Sequence, residues 1–224
     1  MSRDPGGPDR TPDLTDTAVS VAPGLLGSVL TSRIGSDTVS VRLVEVEAYE
    51  GGADPGSHAY RGRTARTEVM FAAAGHLYVY RHMGLHHCVN IVTGAPGRAS
   101  AVLLRAGEVV EGEEIAFARR RAAGVCRAAV DLARGPGRLA VALGLTGAHN
   151  GSRLGADADA PLHLHRPCAE DRSVPISTGA RVGVNGPGGD PATYPWRFWI
   201  TGDRHVSVFR PGRAAGRPGS GRSR

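Results

Sequence analysis

The chain contains no lysine: all 27 of its basic residues are arginine. Without an ε-amine no side chain can form a Schiff base, so lyase or aldolase chemistry of that type is excluded, the N-terminal amine aside. Cysteine is scarce and poorly placed for pairing. Cys88, Cys126 and Cys168 are odd in number, far apart and form no CxxC. This argues against a disulfide framework and for a reducing compartment. No apolar run approaches the length of a membrane span. Residues 1–12 are polar and carry no signal-peptide core, so a cytoplasmic location is expected.

What is present points to a globular domain with an anionic partner. The 224 residues fit one domain with tails, and 41% hydrophobic content is enough for a core. Thirty-two glycines and 15 prolines call for many turns. The formal charge is +6 and the pI about 9.9. Such a balance suits nucleic acid first and a membrane surface second, although a codon bias toward arginine explains the same letters.

One stretch carries the strongest local signal. Val41, Leu43, Glu45, Glu47 and Tyr49 alternate with Arg42, Val44, Val46 and Ala48, which is strand periodicity. Gly51-Gly52 and Asp54-Pro55-Gly56 end the strand in a loop. A carboxylate on a rigid strand beside an aromatic ring suits a general base next to a flat substrate. A solvated Glu pair on an edge strand fits the same pattern.

Around this strand the chain reads as follows. A helix is expected near Asp16 or Thr17, with Leu25, Leu26, Val29 and Leu30 as its buried stripe. Ile34 to Val41 begins a hairpin through Gly35-Ser36-Asp37. The loop 54–67 holds His58 and three arginines, Arg61, Arg63 and Arg66, spaced for phosphate contacts; Met70 and Phe71 should anchor it. Residues 76–92 read as two strands around Arg81-His82-Met83-Gly84-Leu85, where Met83 is either core or a wedge at a turn. Residues 101–106 form a short buried strand, and its Arg105 needs a partner, for which Glu47 is a candidate. Residues 113–123 form a helix that starts acidic and ends basic. Arg134-Gly135-Pro136-Gly137-Arg138 opens a further helix, whose free N–H groups can hold a backbone phosphate at Gly137 and Arg138. Residues 161–166, 180–184 and 197–201 read as strands. Residues 1–15 and the Arg-rich 210–224 read as disordered tails around a domain spanning 16–209. His82, His86, His87 and Cys88, with His163, His165 and Cys168, offer zinc-type donors but no familiar spacing.

Taken together, RLVEVEAYEG (42–51), ADPGSH (53–58), MFAAAGHLYVY (70–80), GLHHCVN (84–90), VLLRA (102–106), GPGRLAVALGL (135–145), ARVGV (180–184) and PWRFWITG (195–202) resemble the alkyladenine DNA glycosylases of the mammalian type. The motifs keep the family's order over residues 20–205. The resemblance implies a single α+β domain with a curved antiparallel sheet flanked by helices, with no metal and no cofactor. It implies a monofunctional enzyme that hydrolyses the N-glycosidic bond of alkylated, and in some members deaminated, purines after turning them out of the duplex. Double-stranded DNA with damaged purines is the expected partner, with no membrane partner, and a nucleoid-associated monomer is the expected form. Residue by residue, it implies Glu47 as the base that activates water, with Arg105 helping to hold it. Tyr49, His58 and Tyr80 grip the purine, and Asn90 crowds a guanine 2-amino group. Met83 stands where the best-studied members place a tyrosine wedge; a flexible apolar side chain can still fill a stack. Glu45 reads as structural, paired with an arginine. A non-catalytic nucleic-acid-binding protein of the same fold, and a metal-dependent hydrolase built on the His and Cys groups, are the competing expectations.

Overall fold

The computed structural model of the chain describes residues 11–155, 160–168 and 171–212. Nine strands form one antiparallel sheet. In chain order they are β1 (Val29–Ile34), β2 (Asp37–Tyr49), β3 (Leu77–His82), β4 (His86–Val92), β5 (Ala101–Glu111), β6 (Ala133–Arg134), β7 (Leu162–His165), β8 (Ile176–Gly179) and β9 (Arg197–Ile200). The helices are α1 (Ala18–Val21), α2 (Glu113–Ala122) and α3 (Pro136–Leu143). The architecture is α+β.

The order β3-β4-β5-β2-β1-β7 puts β2 in the middle of the sheet. Its first half pairs with β1, and at Glu45–Glu47 β9 takes over that side. The opposite side pairs with β5 from Ser40 to Tyr49. Glu47 therefore sits on a central strand, and the edge-strand reading of the Glu pair is overturned. Every residue from Val39 to Ala48 except Arg42 is buried. Arg42 instead meets Glu108, Asp171 and Asp203 at 2.8–3.3 Å, which ties β2 and β5 to the C-terminal segment.

The β2–β5 ladder is irregular where the chemistry-bearing residues lie. Leu43 faces Gly107 and Glu45 faces Ala106, so Val44 is an extra residue on β2; Val46 then faces Leu104, so Arg105 is an extra residue on β5. Bulges re-aim side chains. This one turns Arg105 toward the Glu45–Glu47 face.

Several sequence expectations change. The first helix is short: α1 is capped by the Thr17 hydroxyl and continues as a 3-10 turn over Ala22–Leu25. Gly27, at φ 79°, ends it, so Val29 and Leu30 belong to β1 and not to a helical stripe. Residues 180–184 are a turn and not a strand, and β8 before them had no sequence signal. Leu14, within the expected N-terminal tail, is buried in the core. At the other expected boundary the Arg210 carbonyl accepts from the Gly183 amide at 3.0 Å. The remainder of both expected tails, 1–10 and 213–224, lies outside the described residues.

The core between sheet and helices is aliphatic, with Leu25, Leu30, Leu43, Leu104, Leu139 and Leu143 among its largest side chains. A second, smaller cluster of Met70, Tyr78, Val92 and Ala101 lies under the loop 54–67, with Phe71 packed against it, as expected of the anchors. Among the described residues no helix is long and apolar enough to cross a membrane.

Candidate active site

Two carboxylates on β2 are wholly buried, and their surroundings differ. Glu45 accepts from four donors. Its Oε1 accepts from Arg105 Nε at 2.9 Å, Arg197 Nε at 2.7 Å and the Ser207 hydroxyl at 3.0 Å; its Oε2 accepts from the Ser207 amide at 2.6 Å. Glu45 joins β2, β5, β9 and the 207 segment, the structural role expected of it. Glu47 is less committed. Its Oε1 accepts from the Val182 amide at 2.6 Å and lies 3.4 Å from Arg105 Nε. Its Oε2 accepts only from the Tyr49 hydroxyl, at 2.9 Å. A carboxylate oxygen can take two donors, so Oε2 keeps acceptor capacity.

Arg105 lies between the two acids, with its NH2 group 3.3 Å from the Ser207 hydroxyl. Burial opposes its charge, but Glu47 and Glu45 outweigh burial and hold its pKa above the ordinary arginine value. Burial, with Glu47 second, likewise drives the Tyr49 phenol well above its usual range, so Tyr49 is a hydrogen-bond donor at neutral pH.

Above this layer runs a groove of about 1130 Å³, lined by Tyr49, His58, Tyr80, Asn90, Arg105 and Val182 among others. The structure thus brings five of the six residues expected at the catalytic and base-binding positions to one groove. The sixth, Glu47, is one layer below, roofed by Tyr49 and Val182 with no exposed surface. Asn90 is fixed by its amide to the Tyr78 carbonyl at 2.9 Å. His58 and Tyr80 touch edge to face at a centroid distance of 4.6 Å. A purine inserted between two rings needs them ~7 Å apart, at two contact distances of ~3.5 Å. The slot between these two side chains is therefore closed.

The expected DNA-contacting residues are placed unequally. Met83 is 80% exposed at the tip of the β3–β4 hairpin, which rules out the core reading of it. It is also the one positive-φ residue other than glycine among the described residues, at φ 48°. Strained backbone of this kind gathers at functional positions. Leu85, 71% exposed beside it, had no sequence signal of its own. Arg61 is exposed, and Arg63 is tied to Glu68 at 2.9 Å and lies over the Phe71 ring. Arg66 turns inward to His58 and Tyr80. Gly137 and Arg138 open α3, which lacks a capping side chain. A Cβ at Gly137 would lie 2.9 Å from the His86 side chain, so close packing also explains this glycine. Arg138 is paired with Asp131 at 2.9 Å.

Sequence reasoning missed Arg181. Its guanidinium is buried and makes two 2.6 Å bonds to Asp54, with further bonds to the Ala48 and Gly188 carbonyls. It lies 4.5 Å from the Tyr49 ring centroid and 5.3 Å from that of Trp196. The next residue supplies the amide that binds Glu47. Only its place in ARVGV marked it, and an arginine in an apolar run gives no hint of a partner 127 residues away. Among the described residues no three His, Cys, Asp or Glu side chains converge to hold a metal. Cys88 and Cys126 are free thiols.

Residues 13–204 match the family model described as methylpurine-DNA glycosylase. The chain belongs to this family. It is 48% identical over 209 residues to a protein of Streptomyces avermitilis, covering 91% of this chain and 94% of that one. It is 45% identical over 198 residues to one of Leifsonia xyli, covering 87% and 89%, and 41% identical over 216 residues to one of Mycobacterium tuberculosis, covering 94% and 98%. All three relatives are named provisionally as 3-methyladenine DNA glycosylases. Membership makes the chain a hydrolase of N-glycosyl bonds.

Proposed function

We propose that this glycosylase removes alkylated purines from duplex DNA by hydrolysis, with Glu47 as general base and Arg105 beside it. The contrast between the two buried acids carries this reading. Glu45 accepts from four donors, whereas Glu47 accepts from two, and its Oε2 is held only by the hydroxyl of the ring that walls the groove.

The reaction follows from that placement. Met83 enters the stack as the damaged nucleotide leaves it, and the purine enters the groove against Tyr80 and Tyr49. Loop 54–67 must swing for this, because His58 and Tyr80 are in contact. A small rotation of Tyr49 exposes Oε2 to a water, and the outer edge of Arg105 holds that water from the groove side. The water oxygen bonds to C1′ as the C1′–N9 bond breaks. The electron pair of the broken bond stays on the purine, and the water proton passes to Glu47. A purine alkylated at N3 or N7 starts as a cation and departs neutral, so it needs little acid assistance. The sugar carries positive charge in the transition state, which the buried carboxylate opposes. The product is an abasic site in an uncut strand, consistent with a chain that has no lysine to form an imine with the sugar. Asn90, whose amide donates to the Tyr78 carbonyl, crowds the 2-amino group of an undamaged guanine. The chemistry uses no cofactor.

The test is base release from duplex oligonucleotides carrying 3-methyladenine, 7-methylguanine, hypoxanthine or ethenoadenine. Release of methylated purines with alkali-labile but intact strands is expected. Equal affinity for damaged and undamaged duplexes, with no base released from any of them, would instead indicate a DNA-binding protein without catalysis.

A further inference from the structure

Against Tyr80 and His58 of the groove lies a cation with no acidic partner. Among the described residues Arg66 makes no ion pair, whereas its loop neighbour Arg63 is neutralised by Glu68. Arg66 NH2 lies 3.3 Å from His58 Nε2 and 3.5 Å from Nδ1, and its guanidinium carbon is 5.4 Å from the Tyr80 ring centroid. Its backbone is held by the next residue, Thr67, which is buried and hydrogen-bonded to the Thr64 amide. The guanidinium lies at the mouth of the slot between His58 and Tyr80, on the same loop as His58, and moves with it.

Donor counting fixes what it does there. A guanidinium only donates, so the ring nitrogen nearest to it, Nε2, must accept. Nδ1 then carries the His58 proton and faces the Tyr78 hydroxyl at 3.1 Å. His58 is consequently neutral, and with its proton committed to Tyr78 it has none to offer a substrate. Desolvation, Arg66 and then His82 push its pKa down to about 4, in agreement. A purine laid on Tyr80 rests ~3.5 Å above that ring, and the Arg66 guanidinium lies over the same ring, 5.4 Å from its centroid.

We propose that Arg66 is a specificity-determining residue that donates to the N7/O6 edge of a neutral, deaminated purine and gives no such help to a purine already cationic by alkylation. This rests on the glycosylase reading. A neutral base such as hypoxanthine leaves poorly unless charge building at N7 and O6 is met by a donor. Arg66 is the charged donor at that position. A 7-alkylated purine has no free N7 and already bears positive charge, so a donor at that edge does not speed its departure.

The test compares single-turnover release of hypoxanthine and of 7-methylguanine from the same duplex by the full chain and by Arg66→Ala and Arg66→Lys. Loss of a hydrogen bond to a charged group should lower the hypoxanthine to 7-methylguanine rate ratio about tenfold or more in Arg66→Ala, with partial recovery in Arg66→Lys. An unchanged ratio would overturn the proposal. So would equal losses on both bases accompanied by a salt slope for undamaged DNA shallower by about one, which would make Arg66 a phosphate contact. Release of 7-methylguanine but not hypoxanthine by the unaltered chain would end this inference and leave the glycosylase reading standing. Release of neither base would end both.

Discussion

Substituting Asp54→Asn tests how the groove wall is held. Asp54 and Arg181 are both buried and joined by two 2.6 Å bonds. The amide keeps the shape of the carboxylate but removes its charge and turns one acceptor into a donor facing another donor. Arg181 then remains charged among Tyr49, Tyr194 and Trp196, whose rings screen far less than water. Breaking a buried pair in this way costs about 3–5 kcal/mol. For a domain of this size that lowers Tm by roughly 6–20 °C, at about 2–4 °C per kcal/mol. Urea and thermal unfolding of the variant and the unaltered chain measure it. A loss under about 1 kcal/mol, the value of an exposed pair, would refute the argument that this pair fixes the 181–182 backbone. The same variant should also release bases more slowly at saturation, because the Val182 amide that holds Glu47 Oε1 follows Arg181 directly.

Further expectations concern other parts of the site. Met83→Ala should slow excision from duplex more than from single strands, since only a duplex leaves a gap in the stack; equal slowing would deny it a wedge role. His58 is folded at a pKa of about 4 and returns to about 6.5 on unfolding, so the unfolded chain binds more protons between those values. Its contribution is present above pH 6.5 and is lost as pH falls toward 4, and His58→Gln should flatten unfolding free energy against pH in that window. An identical slope in the variant would contradict this. Removing residues 213–224 deletes four arginines. It should make the slope of log K for DNA binding against log salt shallower by up to about 3–4 and leave single-turnover excision unchanged. A changed rate at saturation would show that these residues reach the site.

The alternation of RLVEVEAYE and the turn residues around it made β2 and its hairpin legible, and the acidic start and basic end of residues 113–122 marked α2. Pairing partners were not legible. The Glu pair looked equally suited to an edge, because the strand that covers it, β9, lies 150 residues later. Local periodicity also hides bulges, so nothing predicted that an unpaired residue on β5 would bring Arg105 to Glu45 as well as Glu47. Residues 180–184 have strand-like letters, but Arg181 is drawn into a buried ion pair and the segment turns to reach it. Leu25, Leu26, Val29 and Leu30 have helical spacing, and only the left-handed Gly27 between them separates turn from strand. The roof over Glu47 depends on the Tyr49 rotamer and on a loop amide, neither of which a sequence pattern encodes.

The central claim is that a single buried acid activates the attacking water. The direct measurement is single-turnover release of 7-methylguanine by Glu47→Gln, alongside its affinity for the same duplex. The account predicts a fall in rate of about 10²-fold or more with lesion affinity retained, as for loss of a general base. Release at the unaltered rate by a folded Glu47→Gln protein would contradict it.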